Sequence, residues 1–279
     1  MGFAAVVRKE FLDSVRSYSL FGLALLFALF AAGLAAMEFV PVGYRDSHVD
    51  TSTLALLNSM RQPTVFFVPW IGLGMGYNAI AGDHESGRLR LLLGLPNSRA
   101  AVVVGKFVGR TAVVAVSILA GYAVAGIVAL ATFDSFDFVI FGAFTALTVL
   151  YGAVYVGIAV GFSAWLKTRE WALVGATSLY ALFLLGWDVV LLVLQLAIFG
   201  REVPEAGLPD WFPFLGLLNP STAFMHAARA VIPAYREITF YPEADAFYLQ
   251  DWVGFAVLAL WCLGALGLGY RRFRGADLN

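Results

Sequence analysis

The sequence predicts an all-α polytopic membrane protein with six transmembrane helices, and three observations predict it. Of its 279 residues, 61% are hydrophobic and 13% charged, whereas soluble domains carry roughly 45–50% apolar and about 25% charged residues. Six stretches, 19–37, 64–82, 107–132, 138–166, 171–199 and 252–270, approach the length of about 20 apolar residues that crosses a hydrocarbon core of about 30 Å. Charge then divides by side. With the amino terminus inside, the inner segments hold Arg8, Lys9, Arg16, Arg88, Arg90, Arg99, Lys106, Arg110, Lys167, Arg169, Arg271, Arg272 and Arg274, or 13 of the 18 basic residues. The outer segments hold Arg45, Arg61, Arg201, Arg229 and Arg236. Basic residues concentrate on the cytoplasmic side, so both termini are expected in the cytoplasm of a multi-pass cell (plasma) membrane protein. Residues 1–279 read as one transmembrane domain.

Each element follows from local pattern. Over 3–18, Phe3, Val7, Phe11, Val15 and Tyr18 share one helical face, with Lys9, Asp13 and Arg16 opposite; this predicts an amphipathic helix lying in the lipid interface. The loop 38–63 is polar and carries no usable pattern. Small residues recur at four-residue spacing in Gly72 and Gly76, Gly105 and Gly109, and Gly157 and Gly161, which predicts close helix packing without naming partners. A few residues around Asp134 join spans three and four, and Lys167–Glu170 turns between four and five. Asp188 is the single acid inside a span. It lies about 25 Å above the inner start of its run at 1.5 Å per residue, so water at the outer boundary accounts for it; otherwise it lines an outward cavity or pairs with Arg201 or Arg229. The outer segment 200–251 includes an apolar stretch, 211–218, too short to cross. Asn219-Pro220 then forms a helix start, Asn as cap and Pro at the first helical position. Short outer or re-entrant helices are expected here, over the bundle or along a path through it, with Asp188, Asn219 and Pro220 as candidate path or gate residues.

Between spans two and three lies a charged, glycine-punctuated island over 80–110. Catalytic readings of it fail. His84-Glu85 could begin the zinc-protease motif H-E-x-x-H, but position 88 is Arg; Gly105-Lys106 is no phosphate loop, because position 100 is Ala and Phe107 stands where Ser or Thr is required. The three histidines lie on separate loops and Cys262 is the only cysteine, so neither a metal site nor an intrachain disulfide is expected. What the pattern predicts is a short cytoplasmic helix over roughly 84–94, closed by Pro96, with Asn97 or Ser98 capping the next. Its exposed apolar and basic groups suit either a lipid surface or a cleft on a soluble partner.

The run Asp83-His84-Glu85-Ser86-Gly87-Arg88-Leu89-Arg90-Leu91-Leu92-Leu93-Gly94-Leu95-Pro96-Asn97-Ser98-Arg99, followed by Gly105-Lys106, resembles the signature of type-2 ABC transporter permeases. That signature is an acidic pair, E-x-G-T-L-x-x-L-L-x-x-P-x-S-R, then G-K; here Arg88 stands where Thr is usual. The likeness extends over the six-span order and the Leu217-Asn219-Pro220 region, and is greatest for prokaryotic stand-alone permeases such as those serving nitrous-oxide reductase maturation. The resemblance implies a permease subunit, an exporter, without catalysis, cofactor or metal of its own. ATP and Mg would belong to separately encoded cytoplasmic ATPase subunits docking on 83–106. A second permease copy or homologue would complete a dimer in the bilayer, with no nucleic acid involved. It also implies that the helix at 84–94 is the coupling helix, with Glu85, Gly87, Leu89 and Arg90 as the docking positions. The alternative is a membrane anchor or regulatory subunit that recruits a cytoplasmic partner and moves no solute.

Overall fold

The computed structural model describes residues 3–16, 52–94, 98–166, 168–201, 208–239 and 245–275, together with positions 22, 25, 26, 29, 33 and 241. These residues form helices and turns, with no strand among them. The expected first span, 19–37, lies largely outside them. Five described helical stretches are long and apolar enough to cross a membrane: Thr53–Glu85, Arg99–Thr132, Phe138–Trp165, Arg169–Phe199 and Val253–Arg274. The protein is an all-α polytopic membrane protein.

Helix α1 (Phe3–Arg16) precedes the spans. Helix α2 (Thr53–Gly76) begins where the Ser52 hydroxyl accepts from the Ala55 amide, and contains Pro63 and Pro69. It therefore starts well before the expected position 64. Its first turns carry Asn58, Arg61 and Gln62, which hide them from a search for apolar runs. Two short helices follow, α3 (Ala81–Glu85) and α4 (Arg88–Gly94). Helix α5 (Arg99–Thr132) is capped by Ser98 and is continuous for 34 residues. At 1.5 Å per residue that is about 51 Å, so its first turns project beyond a core of about 30 Å. Helix α6 (Phe138–Trp165) starts at Asp137, whose carboxylate accepts from the amides of Val139 and Ile140. Helices α7 (Arg169–Ala181) and α8 (Trp187–Phe199) form one run interrupted by a π turn, Leu182–Gly186. Two short helices, α9 (Trp211–Leu217) and α10 (Pro220–Val231), and two 3₁₀ turns lead to α11 (Val253–Arg274).

Helix α6 is the hub, because its small residues admit neighbours on two faces. A Cβ built on Gly72 would lie 2.8 Å from the Cβ of Tyr155, so α2 closes on α6 only with glycine there. On the other side a Cβ on Gly157 would lie 2.7 Å from Cys262 Sγ, which seats α11. In lipid such close approach takes the place of a hydrophobic driving force. The pair at 105 and 109 departs from span-to-span packing: Gly109 receives α1, whose Glu10 Cβ would be 2.7 Å from an added Cβ. Around α6, Tyr122, Phe144, Tyr151, Tyr155, Phe224 and Tyr235 are buried. Tyr151 stacks on Phe224 at 4.6 Å and shares a 2.8 Å hydrogen bond with Ser221. Helices α7 and α8 are exposed along most of their length.

Candidate functional site

The segments that charge assigns to the inner side gather at one end of the bundle. Arg99 on α5 donates to the Arg274 carbonyl at 3.0 Å and stacks over the Phe273 ring at 5.4 Å, joining the start of α5 to the end of α11. At the opposite end Thr53 Oγ1 accepts from the Asp137 amide at 2.7 Å, and Arg61 donates to the Ile238 carbonyl at 2.8 Å.

At the inner end the link between α2 and α5 is pinned from three sides. Ser163, fully buried on α6, accepts from the amides of Ile80 and Ala81 at 2.9 and 3.0 Å, capping the start of α3. Glu85 accepts from the Arg169 amide at 2.8 Å at the first turn of α7. The Arg169 side chain turns back, donating to Tyr77 Oη at 3.1 Å.

The third anchor is ionic. Lys106 Nζ, 1% exposed, lies 2.6 Å from Glu10 Oε1 on α1 and 2.7 Å from Asp83 Oδ2 on α3. Arg110 reaches the second Glu10 oxygen at 3.1 Å and donates to the Met75 carbonyl. Arg88 at the start of α4 lies 3.5 Å from Asp83. Burial alone would raise the Glu10 carboxyl, but Lys106 and Arg110 outweigh it and hold the group below its ordinary value.

The expected single helix over 84–94 is two helices. Gly87 has φ 71°, a left-handed conformation that glycine adopts without steric cost, and it ends α3 and restarts the chain as α4. Of the four positions expected to dock a partner, Glu85 is exposed and bound to Arg169, and Gly87 makes the break. Leu89 is turned inward and buried. The side chain of Arg90 lies outside the described residues. The surface of α4 is instead carried by Leu91, 75% exposed, with Arg88 beside it. Inward Leu89 and outward Leu91 are two residues apart, about 200° around a helix, which fits one residue anchoring and one presenting.

Helix α1 also departs from expectation. Its face toward the protein is Val6 and Glu10, both buried, while Val7, Phe11 and Val15 stay partly exposed. Sequence reasoning found the apolar stripe and missed Glu10, Ser163 and the role of Lys106. The signal available for α1 was Glu10 sitting i+4 from Val6, out of line with both assigned faces.

The outer candidates separate. Asn219 is buried and works as a clamp: its Oδ1 accepts from the Ser221 amide at 2.9 Å, capping α10, and its Nδ2 donates to the Phe183 carbonyl at 2.8 Å. That carbonyl lies in the π turn, where i→i+5 bonding perturbs the regular ladder. Trp187 and Trp261 donate to the carbonyls of Leu215 and Leu218 at 3.1 and 2.8 Å, which satisfies the end of α9. Pro220 is buried at the first position of α10. Asp188 is exposed on α8, and Arg229, a partner considered for it, engages Asp251 at 3.4 Å. His226 and Arg236 converge on the same Asp251 at 3.0 and 2.7 Å. Burial pushes the His226 imidazole below its ordinary value, with Asp251 acting against that and Arg229 with it.

The family model described as ABC-2 family transporter protein matches residues 4–278. A probable ABC transporter permease protein NosY of Pseudomonas aeruginosa is 30% identical over 282 residues, 96% of each chain. A protein of the same description from Stutzerimonas stutzeri is 32% identical over 223 residues, 78% of each chain.

Proposed function

This chain belongs to the ABC-2 family of transporter proteins and is a transmembrane permease subunit, and from that premise we propose that α3 and α4 are the coupling segment on which a separately encoded ATPase acts. One observation carries the reading. The segment is fastened to three membrane helices, by Ser163 on α6, Lys106 on α5 and Arg169 on α7, yet it presents Leu91 and Arg88 at the surface. A segment tied to the spans on one face and open on the other can pass a push from a soluble partner into the bundle. A lipid-lying helix has no need of the fastenings. The ATPase supplies ATP binding and Mg chemistry, and this chain the path. Its direction is export, and a second permease copy or homologue completes the assembly in the cell membrane, with both termini in the cytoplasm. The likeness to the two NosY proteins supports a prokaryotic permease of that kind.

The test is capture of the tagged chain from its native membrane. ATP hydrolysis that vanadate inhibits is expected to co-purify with it. Leu91→Glu, which puts a charge on the exposed face, is expected to reduce the captured activity at least tenfold, while Asp188→Asn at the other end leaves it unchanged. Full capture and activity with Leu91→Glu would remove α4 as the docking surface. Absence of any ATPase from the native complex would favour the non-transporting anchor.

A further inference from the structure

We propose that Lys106 is a positioning residue that joins the amino-terminal helix α1 to the coupling segment, so that α1 and α3–α4 move as one body when the partner pushes. The inference rests on the reading of α3–α4 as the ATPase contact. Lys106 contributes one ammonium, and its two carboxylates come from segments far apart in the chain: Glu10 before the first expected span and Asp83 after the second. Lys106 donates a charge-assisted hydrogen bond to Glu10 at 2.6 Å and lies in ion-pair contact with Asp83 at 2.7 Å, and the ammonium is shielded from water. The chain of contacts is continuous. Arg88 on α4 holds Asp83 on α3, Asp83 holds Lys106 on α5, and Lys106 holds Glu10 on α1. Arg110 fastens the other Glu10 oxygen and the end of α2.

Packing places α1 where the link can act. Gly109, one turn from Lys106, lets α1 lie directly against α5. The partly exposed Val7, Phe11 and Val15 then remain for the lipid interface. A rigid helix bound to the coupling segment on one side and to lipid on the other makes displacement of that segment a displacement in the bilayer surface. A helix that merely led into the first span would need no carboxylate on its protein face.

The experiment is amide hydrogen exchange on the intact permease–ATPase complex in lipid nanodiscs, with Mg and ATP, with and without vanadate. In the native complex, trapping is expected to change exchange in 81–94 and in 3–16 by the same factor, within about twofold. In Glu10→Gln and in Lys106→Met, 81–94 is expected to keep its response while that of 3–16 falls at least fivefold. Asp13→Asn, on the solvent side of α1 and paired with Lys9 at 3.1 Å, leaves both responses native. Glu10→Gln keeps the size and hydrogen-bonding capacity of the side chain, so it carries the test even if Lys106→Met does not accumulate. An unaltered response of 3–16 in Glu10→Gln overturns the proposal, and so does a native complex in which 81–94 responds and 3–16 does not. A native complex in which 81–94 itself is silent overturns the coupling assignment first, and this proposal with it.

Discussion

Replacing Ser163 by Ala isolates the fastening of the coupling segment to the central helix. The hydroxyl accepts two backbone amides, from Ile80 at 2.9 Å and Ala81 at 3.0 Å, at a fully buried position. Alanine fits the space and removes only the acceptor. A buried donor left without a partner costs about 1–3 kcal/mol. Two donors lose theirs together, but they sit at the end of the bundle where slight opening admits water, so about 2 kcal/mol is expected. At about 1.4 kcal/mol per factor of ten this is about a 30-fold rise in local opening. Amide exchange resolved over 79–86 should accelerate by that factor, with 141–160 in the middle of α6 unchanged. Coupled ATP hydrolysis should fall while the ATPase still binds, because the docking face is intact. Exchange within about threefold of native would refute the reasoning, since the two amides would then have another acceptor.

Gly72→Ala should lower thermal stability in detergent by about 1–3 kcal/mol through overpacking against Tyr155, whereas Gly74→Ala, with nothing within 4 Å of an added Cβ, should show no such loss; equal effects would deny the close approach of α2 and α6. Asp251→Asn strips His226, Arg229 and Arg236 of their shared carboxylate, and with Arg236 half exposed a loss of about 2–3 kcal/mol is expected; a melting curve like that of the native chain would contradict it. The lowered Glu10 pKa means that the unfolded chain binds the proton more readily, so stability rises with pH there. Its contribution is complete above the ordinary value of 4.5 and is lost as pH falls through the lower folded value. Glu10→Gln should therefore flatten the acid limb of a stability–pH profile below about 4.5, and an unchanged limb would place that loss elsewhere.

What could be read in the sequence was whatever local chemistry determines. Asn219-Pro220 announced a capped helix start, and the structure has that cap at that residue. The glycine pairs announced close packing, and Gly72, Gly109 and Gly157 each meet a neighbouring helix. Hydropathy found the apolar bodies of the helices and misjudged the start of α2, because Ser52 sets that start through a cap while Arg61 and Gln62 depress the apolar average. The π turn at Leu182–Gly186 left no mark in a uniformly apolar run; its partner, Asn219, is 36 residues from Phe183. The ionic link was invisible for the same reason on a larger scale. Lys106 and Glu10 are 96 residues apart, and only the seating of α1 at Gly109 brings them together.

That seating has a consequence for the energetics of the inner end. A buried ammonium is tolerable only while its carboxylates are present, and removing one partner of such a group costs about 3–5 kcal/mol, whereas exchanging the whole set for apolar groups can be neutral. Deleting residues 1–16 takes Glu10 from Lys106 and Arg110 but leaves Asp83 in place, so about 2–3 kcal/mol of lost stability is expected, below that full cost. Lys106→Met together with Asp83→Asn in the truncated chain removes the remaining buried pair as a set and should recover part of the loss, although the same double substitution in the full-length chain takes Lys106 from Glu10 and destabilises. This reversal of sign distinguishes charge balance from simple loss of packing, which would make the double substitution harmful in both backgrounds. Thermal melting of the four chains in one detergent measures it, and a double substitution that is harmful in both would show that α1 is held by its fit over Gly109 and not by the ion pair.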